Sequence, residues 1–285
     1  MCDDLTAADA DSQLSRRDFA VGATGIAIMA LLPQAANAMA VVEQDVLITT
    51  PDGKADAYFV HPAKGKHPAV LIWPDIQGLR PAFRQMAKRL AESGYAVLCV
   101  NPYYRQAKSP VVAPGESFQD PPVRARLLPL AIALTPATNV SDANAFVQFL
   151  DAQPAVNRKR KIGAMGYCMG GPMVMRTAAA VPNRIGAAAS FHGGGLATDK
   201  PESPHLLIPK MKAGFLIAVA QNDDERFPQE KETLRTSFAA AKLPAEIEVY
   251  QGALHGWCPP DSRVYNKEQA ERAWGRLLAL LGQRL

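Results

Sequence analysis

The chain has 285 residues, of which 48% are hydrophobic and 20% charged, and its formal net charge is +4. It contains no internal repeat or low-complexity segment, so its composition is that of a globular protein. The one dense basic run, at residues 158–161, has no aromatic residues between its charges, which argues against nucleic-acid binding.

The N-terminal segment has the features of an export signal. The sequence SRRDFA at residues 15–20 resembles a twin-arginine motif, residues 21–32 are apolar and uncharged, and ANA at residues 36–38 is a small-x-small cleavage pattern. The apolar stretch is shorter than the about 20 residues that a membrane span needs. We therefore expect cleavage after Ala38 or Ala40, export to the periplasm by the twin-arginine machinery, and no stable membrane span afterwards.

Cleavage after residue 38 would leave 247 residues with 29 basic and 22 acidic side chains, which fits a single α/β domain over residues 41–285. A buried helix or a retained anchor is the alternative for the leader. The remaining cysteines are Cys99, Cys168 and Cys258. They form no C-x-x-C pair and are odd in number, so at least one thiol stays free even in an oxidising compartment.

Beyond the leader, strand and helix patterns alternate. Residues 42–49 and 54–61 flank a Pro-Asp-Gly turn, which is typical of a β-hairpin. Further strands are predicted over residues 69–73, 95–101, 161–165, 184–191, 213–220 and 246–250, and helices over residues 81–93, 141–152, 172–181, 228–241 and 267–281. This alternation favours an α/β fold with a mainly parallel sheet and helices on both faces. The long connection over residues 102–124 is predicted to be a lid or pocket wall.

The sequence GYCMGG at residues 166–171 is typical of a nucleophile elbow with cysteine in place of serine. It lies between a predicted strand and a predicted helix, and its glycines permit a tight turn with close packing of the helix on the strand. The helix N-terminus beneath Cys168 favours the thiolate, which is the nucleophilic form. Cys168 is therefore the candidate nucleophile, and the alternative is a buried structural cysteine.

A thiolate nucleophile needs a base, and the base needs an orienting acid. Around such an elbow the acid and then the histidine follow the nucleophile along the chain, each after a strand. Asp223 and His255 fit these positions, and Asp224 is the alternative acid. His192 is the competing histidine. It begins HGGG, a sequence like the oxyanion motif of lipases, but that motif precedes the nucleophile and His192 follows it.

An oxyanion requires backbone N–H donors, one from the residue after the nucleophile and one from an early strand-to-helix loop. Met169 is the first candidate donor, and Ile76, which follows the strand at residues 69–73, is the second. Asp75 is predicted to lie close to the thiol, where its carboxylate would hydrogen-bond the cysteine or organise the loop. A helix-capping aspartate is the alternative.

With these residues in place, the chain resembles the dienelactone hydrolase family, the carboxymethylenebutenolidases, over about residues 46–281. The resemblance rests on PDIQG at residues 74–78, the elbow, Asn222-Asp223, HGW at residues 255–257, and the terminal segment with Tyr265 and AERAW at residues 270–274. It implies an α/β-hydrolase fold without a metal or organic cofactor. It also implies that Cys168 is the nucleophile, His255 the base and Asp223 the orienting acid, with an acid near Asp75 that governs the thiol's proton until substrate binds.

The chain departs from the family's chlorocatechol enzymes in two respects. Those enzymes carry glutamate at the position of Asp75, and they hold a substrate carboxylate with two arginines. Arg124 or Arg126 is the candidate for the first arginine, and Arg263 is the candidate for the second, since Pro259 stands at the expected position. We expect a hydrolase of a small-molecule ester or lactone that forms an acyl-cysteine intermediate. The alternatives are a general carboxylesterase or thioesterase, and a catalytically silent binding or thiol-redox protein.

Overall fold

A computed structural model describes residues 32–33 and 38–285. The twin-arginine motif, the apolar stretch up to residue 31 and most of the cleavage pattern lie outside the described residues. The strands are β1 (Val41–Thr50), β2 (Gly53–Pro62), β3 (Ala69–Trp73), β4 (Ala96–Val100), β5 (Ile162–Tyr167), β6 (Ile185–Phe191), β7 (Gly214–Ala220) and β8 (Ala245–Tyr250). The α-helices are α1 (Pro81–Glu92), α2 (Pro121–Ile132), α3 (Pro136–Ala152), α4 (Gly170–Ala180), α5 (Gln221–Arg226), α6 (Pro228–Ala240) and α7 (Lys267–Arg284), and a 3₁₀ helix spans Pro204–Lys210.

The strands form one sheet in the order β1-β2-β4-β3-β5-β6-β7-β8. β1 and β2 form an antiparallel hairpin, β2 pairs antiparallel with β4, and the remaining neighbours are parallel. The predicted class, an α/β protein with a mainly parallel central sheet, is confirmed.

Side-chain alternation along the strands builds one apolar core on each face of the sheet. In β3, Leu71 and Trp73 belong to the core under α2, α3, α4 and α6, whereas Val70 and Ile72 belong to the core under α1 and α7. Successive side chains of a strand point to opposite faces, so a fully apolar strand fits only a sheet that is covered on both sides. Within the described residues, no helix is long and apolar enough to cross a membrane.

Three elements differ from the sequence prediction. The first four residues of α2 were predicted to belong to the long connection, which therefore ends at residue 120, and the rest of α2 had no predicted element. α2 begins with two prolines and contains a third at Pro129, which disguises its helical pattern. α3 begins at Pro136 behind a capping box on Thr135, earlier than predicted. The predicted loop after β7 is the short helix α5.

Parallel strand order places the candidate residues along one edge of the sheet. Asp75, Cys168, His192, Asp223 and His255 follow the carboxyl ends of β3, β5, β6, β7 and β8. Carboxyl ends of neighbouring parallel strands open onto one crevice, which is where ligands bind in folds of this class.

The elbow depends on close backbone contact at two glycines. A Cβ atom added to Gly166 would lie 2.2 Å from the carbonyl oxygen of Gly170. A Cβ atom added to Gly170 would lie 2.3 Å from the carbonyl oxygen of Trp73. Both distances are far below van der Waals contact, so only glycine lets α4 approach β5 and β3 this closely.

We expect Gly166→Ala to lower the free energy of unfolding by about 2 kcal/mol or more, because the added methyl group forces the backbone of α4 away from β5. Urea unfolding followed by circular dichroism measures the change. Gly275→Ala in α7 is the matched control, since nothing lies within 4 Å of its added Cβ. Alanine at position 275 has a higher helix propensity than glycine, so we expect it to raise the free energy of unfolding by up to about 1 kcal/mol. Equal stability of Gly166→Ala and wild type would contradict the close contact.

Candidate active site

Cys168 occupies a strained backbone position at the top of the elbow. Its φ angle is +50°, in the left-handed region that residues other than glycine rarely adopt. Its N–H donates to the carbonyl oxygen of Phe191 at 3.0 Å, and its own carbonyl oxygen accepts from the N–H of Gly171 at 2.9 Å. Because α4 begins two residues later, the helix N-terminus lies beside the partly buried sulfur and stabilises negative charge there.

His255 is held by two residues of α5. Its Nδ1 lies 2.7 Å from Oδ2 of Asp223, and its backbone N–H donates to Oδ1 of Asn222 at 2.8 Å. The other ring nitrogen, Nε2, is buried and meets no nitrogen or oxygen partner in the described part of the chain. With Nδ1 engaged by the carboxylate, Nε2 is the atom left for proton exchange with Cys168.

The charges around His255 favour its protonated form. Burial acts to lower the pKa of His255, but the negative charges of Asp223 and Cys168 outweigh burial and hold this pKa well above its usual value. These charges therefore favour a proton on the imidazole ring of His255.

Only one of the two adjacent aspartates contacts the histidine. Asp224 forms an ion pair with Lys231, whereas Asp223 is buried against the His255 ring. One residue along a helix turns the side chain by about 100°, so neighbours in α5 face different partners. The sequence left the choice open because α5 was predicted to be a loop.

His192 lies behind the candidate base. Its ring centroid is 5.2 Å from that of His255 and 5.0 Å from that of Trp257. The side chain is fully buried, and neither ring nitrogen has a hydrogen-bond partner among the described residues. Burial, together with the nearby charge of His255, holds the pKa of His192 well below its usual value. His192 is therefore a neutral ring that packs on His255 and not the proton acceptor itself.

The two candidate oxyanion donors are joined by a tyrosine. Within residues 38–285, no hydrogen bond uses the N–H of Ile76 or Met169. The hydroxyl of Tyr103 donates to the carbonyl oxygen of Ile76 at 2.8 Å and lies 3.4 Å from Sδ of Met169. Tyr103 is buried and follows β4. The sequence analysis missed this residue, because its aromatic side chain was the only feature that could have indicated it.

The connection after β4 packs on the same turn. The N–H of Phe118 donates to Oε1 of Gln77 at 3.1 Å, and a Cβ atom added to Gly78 would meet Val111 at 3.3 Å and Tyr103 at 3.4 Å. This connection therefore forms a wall over the turn that carries Ile76.

Asp75 is bound by an arginine that the sequence analysis missed. Its Oδ1 and Oδ2 accept from Nη1 and Nη2 of Arg80 at 2.6 and 3.0 Å, and Oδ1 also accepts from the N–H of Gln77 at 2.9 Å. Arg80 further donates to Asp261 at 2.7 and 3.0 Å. Burial acts to lower the pKa of Arg80, but the charges of both aspartates outweigh it and raise that pKa. Asp75 thus organises its loop and does not cap α1, whose N-cap residue is Arg80.

Two of the three arginines proposed to hold a substrate carboxylate already contact protein carboxylates. Arg126 forms an ion pair with Glu116, and Arg263 donates to both oxygens of Asp120 at 2.8 and 2.9 Å. Arg124 donates to the backbone carbonyl oxygen of Gln119 at 3.4 Å and lies over the ring of Phe118, 5.6 Å from its centroid.

The other two cysteines lie in the apolar core that also contains Tyr167 of the elbow. Cys99 and Cys258 belong to the core beneath α1 and α7, and burial raises the pKa of each. All three described cysteines are free thiols. Among the described residues, no cluster of three or more His, Cys, Asp or Glu side chains is arranged to hold a metal ion.

Replacing Asp223 by asparagine removes a negative charge from His255. We expect the pKa of His255 to fall, because the imidazolium loses its carboxylate partner. Titration of the histidine ring protons by NMR measures the shift. Asp224→Asn is the matched control and leaves this pKa in place, since Asp224 pairs with Lys231. An equal fall in both variants would contradict the assignment of Asp223.

Comparison with known proteins shows which proteins this chain is similar to. A carboxymethylenebutenolidase of Pseudomonas putida is 27% identical over 220 residues, which cover 77% of this chain and 87% of that protein. The carboxymethylenebutenolidase of Pseudomonas knackmussii gives the same figures. A crystal structure from Klebsiella pneumoniae, provisionally named a dienelactone hydrolase, superimposes with a TM-score of 0.73 at 24% identity and covers 86% of this chain and 99% of its own.

A dienelactone hydrolase-like promiscuous phosphotriesterase from metagenomic libraries superimposes with a TM-score of 0.70 at 20% identity, over 86% of this chain and 99% of its own. At these identities the two superpositions establish the fold alone. The sequence profile of the dienelactone hydrolase family matches residues 55–285. The chain therefore belongs to the dienelactone hydrolase family.

Proposed function

We propose that the protein hydrolyses ester or lactone bonds through an acyl-cysteine intermediate. One observation carries this proposal: Cys168, on its strained elbow, and the Asp223–His255 pair lie on the same edge of the sheet. In that pair, Oδ2 of Asp223 lies 2.7 Å from Nδ1 of His255. Family membership supports the same reaction class, since the named relatives are carboxymethylenebutenolidases.

Acylation begins when the thiolate of Cys168 attacks the carbonyl carbon and the carbonyl electron pair moves to oxygen. The N–H groups of Ile76 and Met169 donate to this oxyanion. As the oxyanion collapses, the bond to the leaving oxygen breaks, and the imidazolium of His255 gives that oxygen its Nε2 proton. The products of this step are a thioester on Cys168, a neutral His255 and a free hydroxyl group, which stays attached to the acyl chain when the substrate is a lactone.

Deacylation uses the same residues with water as the nucleophile. Neutral His255 takes a proton from water while the oxygen attacks the thioester carbonyl. Collapse of the second oxyanion expels the sulfur as thiolate and releases the carboxylic acid. Asp223 holds the ring in the orientation that both proton transfers need and stabilises its charged form.

A carboxylesterase or thioesterase that prefers uncharged acyl groups is the second candidate function. It is favoured by the ion pairs of Arg126 with Glu116 and of Arg263 with Asp120, because an arginine that already holds a carboxylate is a poor partner for a charged substrate.

Hydrolysis of a dienelactone and of a p-nitrophenyl ester by the mature protein tests both candidates. We expect Cys168→Ala to lower kcat by at least about a thousandfold, because the nucleophile is lost. Cys258→Ala is the matched control and retains activity, since Cys258 is buried in the core beneath α1 and α7. Turnover of the lactone supports dienelactone hydrolysis, and turnover of the ester alone supports the second candidate. Full activity of Cys168→Ala would overturn the mechanism.

We further propose that the chain is exported to the periplasm and that its leader is removed near Ala38 or Ala40, leaving residues 41–285 as one domain. The proposal rests on the SRRDFA and ANA sequences. We expect replacement of Arg16 and Arg17 by lysine to retain the precursor inside the cell. Fractionation followed by immunoblotting measures the distribution, and unchanged export would refute the twin-arginine assignment.

A further inference from the structure

An apolar cavity lies between α1 and α7, behind the elbow. Its lining comes from α1, α7, the ends of β5 and β6 and the segment after His255, and it includes Met86, Tyr167, Phe191, Cys258, Ala273 and Trp274. All six belong to the apolar core beneath α1 and α7. The N-terminal segment supplies a further lining residue, Leu32. The cavity is therefore a place where the N-terminal segment meets the folded domain.

The charged residues of the lining neutralise each other. Nη1 and Nη2 of Arg89 donate to Oε1 and Oε2 of Glu271 at 2.8 and 2.6 Å, and the guanidinium lies over the ring of Trp274, 4.5 Å from its centroid. Among the lining residues that the structure describes, Arg89 and Glu271 are the two that carry a charge. A charged occupant would find no free partner in such a wall, and an unpaired charge in an apolar cavity is costly. The cavity therefore favours an apolar side chain.

Leu32 can reach the cavity while the chain beyond it stays attached to the domain. Its side chain is partly buried and packs against the core beneath α1 and α7. The N–H of Met39 donates to the carbonyl oxygen of Glu92 at 3.0 Å, which fixes the chain at the end of α1. Arg89 precedes Glu92 by about 4.5 Å along the helix, whereas the chain from residue 32 to residue 39 can span up to about 25 Å. This tether keeps Leu32 at a high effective concentration near the cavity.

We propose that this cavity is the docking site of the chain's own N-terminal segment, with the side chain of Leu32 as its anchor. In the full-length chain, docking covers the side of the cavity that Cys258 lines. The consequence for the exported protein rests on the leader proposed above, because cleavage near Ala38 or Ala40 removes Leu32 and opens the cavity.

The test measures how fast N-ethylmaleimide modifies Cys258 in the purified full-length chain at one fixed pH, with peptide mapping by mass spectrometry to identify the cysteine. Leu32→Asp puts a charge into the apolar cavity, so the segment undocks. Full burial of a leucine side chain shifts an equilibrium by about tenfold or more, and Leu32 is partly buried. We therefore expect Leu32→Asp to speed modification of Cys258 by at least about threefold. A smaller increase overturns the inference.

Leu47→Asp is the matched control. It makes the same change at a leucine of β1 that is 62% exposed, so we expect it to leave the rate at Cys258 unchanged. Cys99 is fully buried in the same core and reports general opening of the domain in each sample. We expect Cys99 to stay unmodified. An equal effect of the two aspartate variants, or modification of Cys99 together with Cys258, overturns the inference.

A second copy of the chain is the other occupant that the experiment detects. Protection of Cys258 by Leu32 is intramolecular, so we expect the rate in wild type not to depend on protein concentration. Protection that is lost on dilution, and that Leu32→Asp leaves in place, would assign the cavity to a contact between copies and overturn the inference. If Leu32→Asp does not fold by circular dichroism, Leu32→Ser is measured against the same threshold.

Modification of Cys258 requires neither ester turnover nor export. Absence of hydrolysis would therefore overturn the proposed function and leave the docking site standing. Unchanged export after replacement of Arg16 and Arg17 would remove the consequence for the exported protein and leave docking in the full-length chain intact.

Discussion

At Gly166 and Gly170 the backbone of α4 lies closer to β5 and β3 than any side chain would permit, and the candidate site is arranged around this contact. It fixes the strained conformation of Cys168 and directs the first turn of α4 towards the sulfur. It also brings the end of β3 against the elbow, so the turn that carries Ile76 and the elbow that carries Cys168 form one packed unit. The parallel sheet then supplies the acid and the histidine along the same edge, because β7 and β8 end there.

Two separate ionic systems share this edge. In one, the carboxylate of Asp223 supports the charge of His255 opposite the thiol. In the other, Arg80 holds the carboxylates of Asp75 and Asp261. Buried charges are costly unless they are paired. Asp223 is paired with the His255 ring, and Asp75 and Asp261 share Arg80. The neutral ring of His192 packs behind His255 without adding a further charge. The two ionic systems therefore share no charged group.

The sequence made the sheet and the elbow predictable because both leave local signals. Apolar runs mark the strands, and the glycines of residues 166–171 mark the strand-to-helix turn. α2 was missed because its prolines interrupt the helical pattern. The choice between Asp223 and Asp224 depends on the phase of a short helix that has no apolar periodicity. Arg80 and Asp261 are 181 residues apart, so no window of sequence shows that they meet.

The connection after β4, which forms a wall over the turn that carries Ile76, is held by a different kind of ion pair from the turn itself. Its far end, at Asp120, is held to the histidine loop by Arg263 through an ion pair that is exposed to solvent. Exposed pairs of this kind contribute about 0–1 kcal/mol and weaken as ions accumulate around them. The buried pairs beneath are shielded from such screening. Ionic strength therefore acts on the entrance to the crevice while the reacting groups keep their arrangement, so salt would change how readily a substrate enters more than how fast it reacts.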